Sequence, residues 1–219
     1  RYKRYGPPAE VLKVEDMTLP SIGPYDVLVK VSASSINPVD WKKMGGLFKL
    51  LEQFTGDLPS VPGFDVAGRI VAIGSRCNRL KVGQDVFGMA LFLRTGALAQ
   101  YVSIAEEYLS VKPESLSFEQ AATLPLAGLT SYQSLLHFGR LRRQDEPMRV
   151  LILGGSGGTG SLGIQIAKER GAYVATTASA RNMEFVRRMG ADRVIDYKNE
   201  DVWAVLEDEH EQFDIIYDA

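Results

Sequence analysis

Seven residues, Gly154-Gly155-Ser156-Gly157-Gly158-Thr159-Gly160, constrain this chain more than any other feature. They come directly after Arg149-Val150-Leu151-Ile152-Leu153, an apolar run that reads as a buried strand. They precede a segment from Ser161 to Arg170 that reads as a helix ending at Gly171. Gly155, Gly157 and Gly160 fit G-x-G-x-x-G in the strand–turn–helix setting of a dinucleotide fingerprint. There the first glycine makes a tight turn, the second lets backbone approach a pyrophosphate, and the third lets helix and strand pack closely. The helix N-terminus adds unpaired N–H groups and a positive dipole end. Gly155, Ser156, Gly157, Gly158, Thr159 and Gly160 are therefore candidate nucleotide-binding residues; the alternative is a glycine-rich structural turn.

Beyond the loop, strands and helices alternate. Tyr173–Thr177 reads as a strand, Asn182–Met189 as a helix with Met183, Val186 and Met189 on one face and Gly190 as its cap. Arg193–Tyr197 reads as a short strand, Glu200–Leu206 as a helix, and Phe213–Tyr217 as a fourth, buried strand. Such alternation implies right-handed βαβ units and a parallel sheet, of which four strands are present where two full halves would give six. Before residue 117 the pattern differs. Val27–Ile36, Gly68–Gly74, Gly83–Gly88 and Ala99–Ile104 read as short strands between glycine and proline turns, which suggests a compact β-barrel-like domain. Helical spacing then appears in Phe118–Thr123 and Leu129–Phe138.

Composition narrows the partners. A net charge of −2 over 219 residues gives no electrostatic reason to expect nucleic acid or an anionic membrane. Arg140, Arg142 and Arg143 read as a solvated loop. No apolar stretch reaches spanning length and no signal-like segment opens the chain. The single cysteine, Cys77, excludes an internal disulfide framework and a multi-cysteine zinc site, and fits a reducing compartment. Cytoplasmic placement is expected, with plastid or mitochondrion open because a transit peptide would precede Arg1. Arg1–Tyr5 reads as the tail of a strand already under way, and the terminal strand calls for further neighbours. Both ends predict a fragment.

An NAD enzyme usually carries Asp or Glu about twenty residues past the first fingerprint glycine, to accept from the ribose 2′-hydroxyl. This chain has Thr176-Thr177-Ala178-Ser179-Ala180-Arg181-Asn182 there. A hydroxyl at Ser179 and a guanidinium at Arg181 suit a 2′-phosphate, which a carboxylate would repel. The cofactor expected is NADP(H); Arg181 as a solvated first-turn residue is the alternative.

Five segments carry a family resemblance: Ile36–Lys42, Pro62–Gly68, Val82–Gly88, Ala121–Thr130 and the glycine loop. The chain resembles zinc-independent medium-chain dehydrogenase/reductases of the quinone oxidoreductase (zeta-crystallin-like) branch, in particular the chloroplast-type alkenal/quinone reductase and reticulon-4-interacting subgroup. The resemblance implies an α/β fold, with a GroES-like catalytic domain over 1–123 and a Rossmann domain over 124–219, incomplete at its C-terminus. Zinc alcohol dehydrogenases place a cysteine ligand in the segment where this chain has Asn37–Asp40, and Gly-His-Glu where it has Gly63-Phe64-Asp65. Zinc wants nitrogen and sulfur ligands, so no metal is expected. His137 and His210 read as ordinary helix residues.

The resemblance further implies NADPH-dependent hydride transfer to a quinone or an α,β-unsaturated carbonyl, and a homodimer at full length. By the same resemblance Asn37 lies in the active cleft, where its amide could donate to the developing oxyanion, with Asp40 beside it. Thr130 approaches the nicotinamide and Tyr197 the adenosine phosphate. The alternatives are an Asx turn before Pro38 for Asn37 and Asp40, helix capping for Thr130, and a strand-end surface residue for Tyr197. Two other functions stay open: an NADPH-binding interaction or sensor protein without turnover, and an enoyl reductase module of a larger synthase.

Overall fold

The computed structural model describes residues 1–52, 58–90, 96–208 and 212–219. The chain divides into two compact units, Arg1–Leu126 and Ala127–Ala219. Helix α1 is Pro8–Val11, β1 Asp26–Ala33, α2 Pro38–Met44, α3 Lys49–Glu52, β2 Asp65–Ile73, β3 Asp85–Met89, β4 Tyr101–Ala105, β5 Leu109–Val111 and α4 Phe118–Ala122. Helix α5 is Pro125–Tyr132, β6 Arg149–Leu153, α6 Gly158–Glu169, β7 Tyr173–Ala178, α7 Met183–Arg188, β8 Arg193–Asp196, α8 Val202–Asp208 and β9 Ile215–Asp218.

In the first unit, five antiparallel strands run in the order β4-β1-β2-β3-β5. Val27, Val29, Val66, Ile70, Val86, Val102 and Ile104 form one core cluster, as period-two alternation requires when one face of a sheet is packed. Helix α4 opens with a reciprocal cap: the Gln120 N–H donates to Ser117 Oγ at 3.1 Å, and the Ser117 N–H to Gln120 Oε1 at 2.9 Å.

In the second unit, four parallel strands run in the order β8-β7-β6-β9. Numbered from the first of them this is 3-2-1-4, the order of a doubly wound dinucleotide-binding sheet up to its fourth strand. Both faces are covered. Val150, Ile152 and Val174 pack with Ile164 and Ala167 of α6 and Val186 of α7, while Leu151, Ala175 and Ile195 pack with Leu206 of α8. Gly190 follows α7 with a φ of 111°, the left-handed backbone expected after a helix end.

Several boundaries depart from the sequence expectation. Helix α6 starts at Gly158 rather than Ser161, so the glycine loop supplies its first turn. The predicted helix over 129–138 is instead the end of α5 followed by a π-helical stretch, Gln133–Phe138. Arg1–Tyr5 is not a strand tail: Tyr2 makes a single antiparallel bridge to Ser60. The last strand is not buried on both faces. Ile215 and Tyr217 point into the core while Ile216 is 56% exposed. His137 lies in the π-helical stretch, where its ring is 5.9 Å from that of Tyr132; His210 lies outside the described residues. Among the described residues, no helix is long and apolar enough to cross a membrane.

Candidate active site and nucleotide cradle

In the second unit the glycine loop joins β6 to α6 and is held from β7. The Gly154 N–H donates to Thr177 Oγ1 at 2.9 Å, the Gly155 N–H to the Thr177 carbonyl at 3.0 Å, and Thr176 Oγ1 to the Ile152 carbonyl at 2.7 Å. The two threonines are thus buried struts. The glycines divide by what confines them. A Cβ on Gly155 would collide with the Thr176 side chain, and one on Gly160 would stand 2.8 Å from Gly155 Cα and closer still to the Gly154 carbonyl. On Gly157 the nearest atom would be the Gly154 carbonyl oxygen at 3.3 Å, with ordinary backbone at φ −76°. Packing inside the unit forbids a Cβ at Gly155 and Gly160; at Gly157 the contact is tight but not prohibitive. Gly157 is the N-cap of α6, and no side chain caps the first turn, which leaves N–H groups of the kind a phosphate accepts from. The residues present therefore fit a dinucleotide pyrophosphate.

At the end of β7, Ser179 is buried and leads into a single 3₁₀ turn, Ala180–Asn182, on which Arg181 is exposed. Asn182 Nδ2 donates to Ser156 Oγ at 3.1 Å, so this turn and the glycine loop are in direct contact. Tyr197 is exposed immediately after β8. Thr130 is exposed well inside α5, past its first turn, so it does not cap that helix. Its neighbour Ser131 is fully buried, with Oγ 2.7 Å from the Thr159 carbonyl. Ser131 is not among the residues expected from sequence, where Thr130 beside it offers the same hydroxyl and nothing separates the two.

In the first unit, α2 begins at Asn37-Pro38, where proline suits the first helical position. The Asn37 N–H donates to Asp40 Oδ2 at 2.8 Å and the Gly63 N–H to Asp40 Oδ1 at 2.6 Å. Asp40 is 1% exposed, and both its oxygens hold main chain. It therefore acts as a local brace, which matches the turn alternative better than contact with a substrate. The Asn37 side chain does not sit with a free amide: Nδ2 lies 2.8 Å from Asp65 Oδ2 and 3.1 Å from Ser35 Oγ.

Asp65 is the residue the sequence did not single out. It is fully buried and also accepts the Ser35 hydroxyl and the Leu126 N–H, the latter at 2.7 Å. Burial pushes both the Asp40 and Asp65 carboxyls above the ordinary value, against the donors that favour the charged form; Asp40 also raises Asp65. The one sign of Asp65 was its place after Gly63-Phe64, where the zinc enzymes carry glutamate. Cys77 is partly buried, its Sγ 3.3 Å from the Asp26 carbonyl, and burial raises its thiol pKa, away from the thiolate form. Among the described residues, no group of three His, Cys, Asp or Glu side chains stands close enough to hold a metal ion.

Comparison with known proteins gives this arrangement its family. Residues 23–114 match the family described as Alcohol dehydrogenase GroES-like domain, and residues 158–219 the one described as Zinc-binding dehydrogenase. The 2-methylene-furan-3-one reductase of Solanum lycopersicum is 40% identical over 227 residues, covering 100% of this chain and 55% of that protein. The chloroplastic NADPH-dependent alkenal/one oxidoreductase of Arabidopsis thaliana is 39% identical, with 100% and 56% coverage. The quinone oxidoreductase structure from Coxiella burnetii superposes with a TM-score of 0.82 at 38% identity, over 93% of this chain and 63% of that one. The chain belongs to the medium-chain dehydrogenase/reductase family, with a GroES-like part followed by a Rossmann-type part. It spans little more than half the length of the two plant relatives.

Proposed function

We propose that the protein carrying this chain is an NADPH-dependent reductase of quinones or α,β-unsaturated carbonyls. The observation that carries the proposal is the glycine loop between β6 and α6, which opens a helix whose N-terminus no side chain caps. In this reading Gly155, Ser156, Gly157, Gly158, Thr159 and Gly160 hold the pyrophosphate. Ser179 and Arg181 take the 2′-phosphate, and Tyr197 lies beside the adenosine half. The bound cofactor supplies a hydride; the protein supplies orientation and a dry surround.

Thr130 faces the nicotinamide end in this reading, and Asn37 faces the acceptor. Asp40 contributes by bracing Asn37 and Gly63. The residues around them, Asn37–Asp40 and Gly63–Asp65, provide neither imidazole nor thiolate, so polarising the acceptor by zinc has no ligand set there. Support for the substrate class comes from the relatives, whose names specify alkenal/one and quinone oxidoreductases. A homodimer rests on the same resemblance, and light scattering of the purified protein tests it.

Following NADPH oxidation by the purified protein at its natural length, with a simple quinone and a simple enone offered separately, tests the proposal. Consumption that requires the acceptor is expected. Tight cofactor binding with no consumption on either acceptor would favour a sensor or interaction role instead.

A further inference from the structure

Asp65 is fully buried, and the proposed hydride transfer makes no direct use of it. Asp65 Oδ2 faces Asn37 and the Ser35 hydroxyl while Oδ1 accepts the Leu126 N–H, and Asn37 turns its NH₂ toward Asp65. Nδ2 lies 2.8 Å from Asp65 Oδ2, and its second acceptor is Ser35 Oγ at 3.1 Å. Ser35 is itself oriented, because its hydroxyl hydrogen goes to the same Asp65 oxygen. Both amide hydrogens of Asn37 thus have acceptors inside the protein. The other Asp65 oxygen is anchored by the Leu126 N–H at 2.7 Å, which keeps the carboxylate from swinging away.

We propose that Asp65 is a positioning residue: with Ser35 it takes up the Asn37 amide hydrogens, so that Asn37 meets its ligand as an acceptor, through the lone pair of Oδ1 that the Asp40 N–H at the start of α2 leaves over. This rests on the reductase reading and reverses the expectation that Asn37 donates to the acceptor oxygen. An acceptor at Asn37 selects a ligand group bearing O–H or N–H. The donor that meets the developing oxyanion must then be another group. Asp65 does not touch the ligand; it acts through the side chain that does.

The test compares Asp65→Asn, Ser35→Ala and Ser34→Ala in the purified protein at its natural length. Ser34 is the control, because its hydroxyl donates to the Asp65 main-chain carbonyl, 2.7 Å away, and leaves the carboxylate alone. Asp65→Asn is expected to lower kcat on the order of tenfold to a hundredfold, as small misplacements of reacting groups do. KM for NADPH is expected to stay near the wild-type value. Ser35→Ala should show a smaller loss in the same direction, and Ser34→Ala none. Ser35→Ala keeps the test alive if Asp65→Asn does not fold.

A second readout is hydrogen exchange at the Asn37 side-chain amide, followed by NMR. Slow exchange in the wild type, lost in Asp65→Asn, is expected. Unchanged kcat in a folded Asp65→Asn protein, equal losses in Ser34→Ala and Ser35→Ala, or free exchange of the wild-type amide would each overturn the proposal. Wild-type protein that reduces no quinone or enone sinks the reductase reading instead. The exchange measurement still decides, in that case, whether Asp65 orients Asn37.

Discussion

Replacing Asp40 with alanine is expected to destabilise the protein by about 3 kcal/mol, because a buried main-chain donor and a part-buried one lose their acceptor at once. The carboxylate is 1% exposed and receives the Asn37 N–H at 2.8 Å and the Gly63 N–H at 2.6 Å. Water does not reach such a site readily, so each orphaned N–H bears its desolvation cost. For a chain of this size the melting temperature should fall by roughly 6–12 °C, read by circular dichroism. Asp40→Asn should lie between, since one of its two polar atoms accepts while the other meets a donor. The pH dependence carries a definite sign. Burial raises the folded-state pKa of Asp40 above the ordinary value of 3.8, so the native state binds the proton more readily than the unfolded chain. The contribution of this carboxyl is full below the ordinary value and declines as pH rises through the raised one. The gap between wild type and Asp40→Ala should therefore narrow across that interval. A gap that widens would mean that the donors, not burial, control the group.

Gly157→Ala and Gly160→Ala should separate binding from folding. On Gly160 the new Cβ meets main-chain atoms of Gly154 and Gly155, which move only if the β6–α6 junction moves. Overpacking of this kind costs about 1–3 kcal/mol. On Gly157 the same carbon meets one oxygen at 3.3 Å in a backbone conformation open to any residue. Stability should fall by about 0.5–1 kcal/mol, since alanine is a poorer N-cap residue than glycine, and by less than in Gly160→Ala. NADPH affinity should nevertheless drop by about tenfold or more, because the pyrophosphate needs the space the methyl takes. Equal melting losses in the two variants, or full cofactor affinity in Gly157→Ala, would mean that the loop is a structural turn.

The parts of this fold that are legible in sequence are those where one local cause dominates. The β6–loop–α6 junction is readable because an apolar run, glycines at set spacing and a helical pattern agree. Helix α7 is readable from Val186 and the glycine after it. The start of α6 is not, because Gly158, Thr159 and Gly160 are poor helix formers and their helicity depends on packing against β6 and β7. The outward face of β9 is hidden for a related reason: Ile216 is apolar wherever it points, so periodicity offers no alternation to detect. The polar cluster is the hardest to see. Ser35 and Asn37 on one segment, Asp65 on another and Leu126 on a third meet only through the sheet of the first unit. A buried aspartate at the start of a strand looks, in sequence, like any turn residue. Asn37 stands out in sequence but the direction of its hydrogen bonding does not, since an amide's free hydrogens cannot be counted until its neighbours are known.

Titrating the purified protein with NADPH and NADH, in wild type and in Arg181→Glu, tests the account at its centre. The predicted result is wild-type binding about tenfold or more tighter for NADPH, with the preference lost in the variant as a phosphate-facing guanidinium becomes a carboxylate. Equal affinity for the two cofactors in wild type, or a variant that weakens both alike, would contradict it.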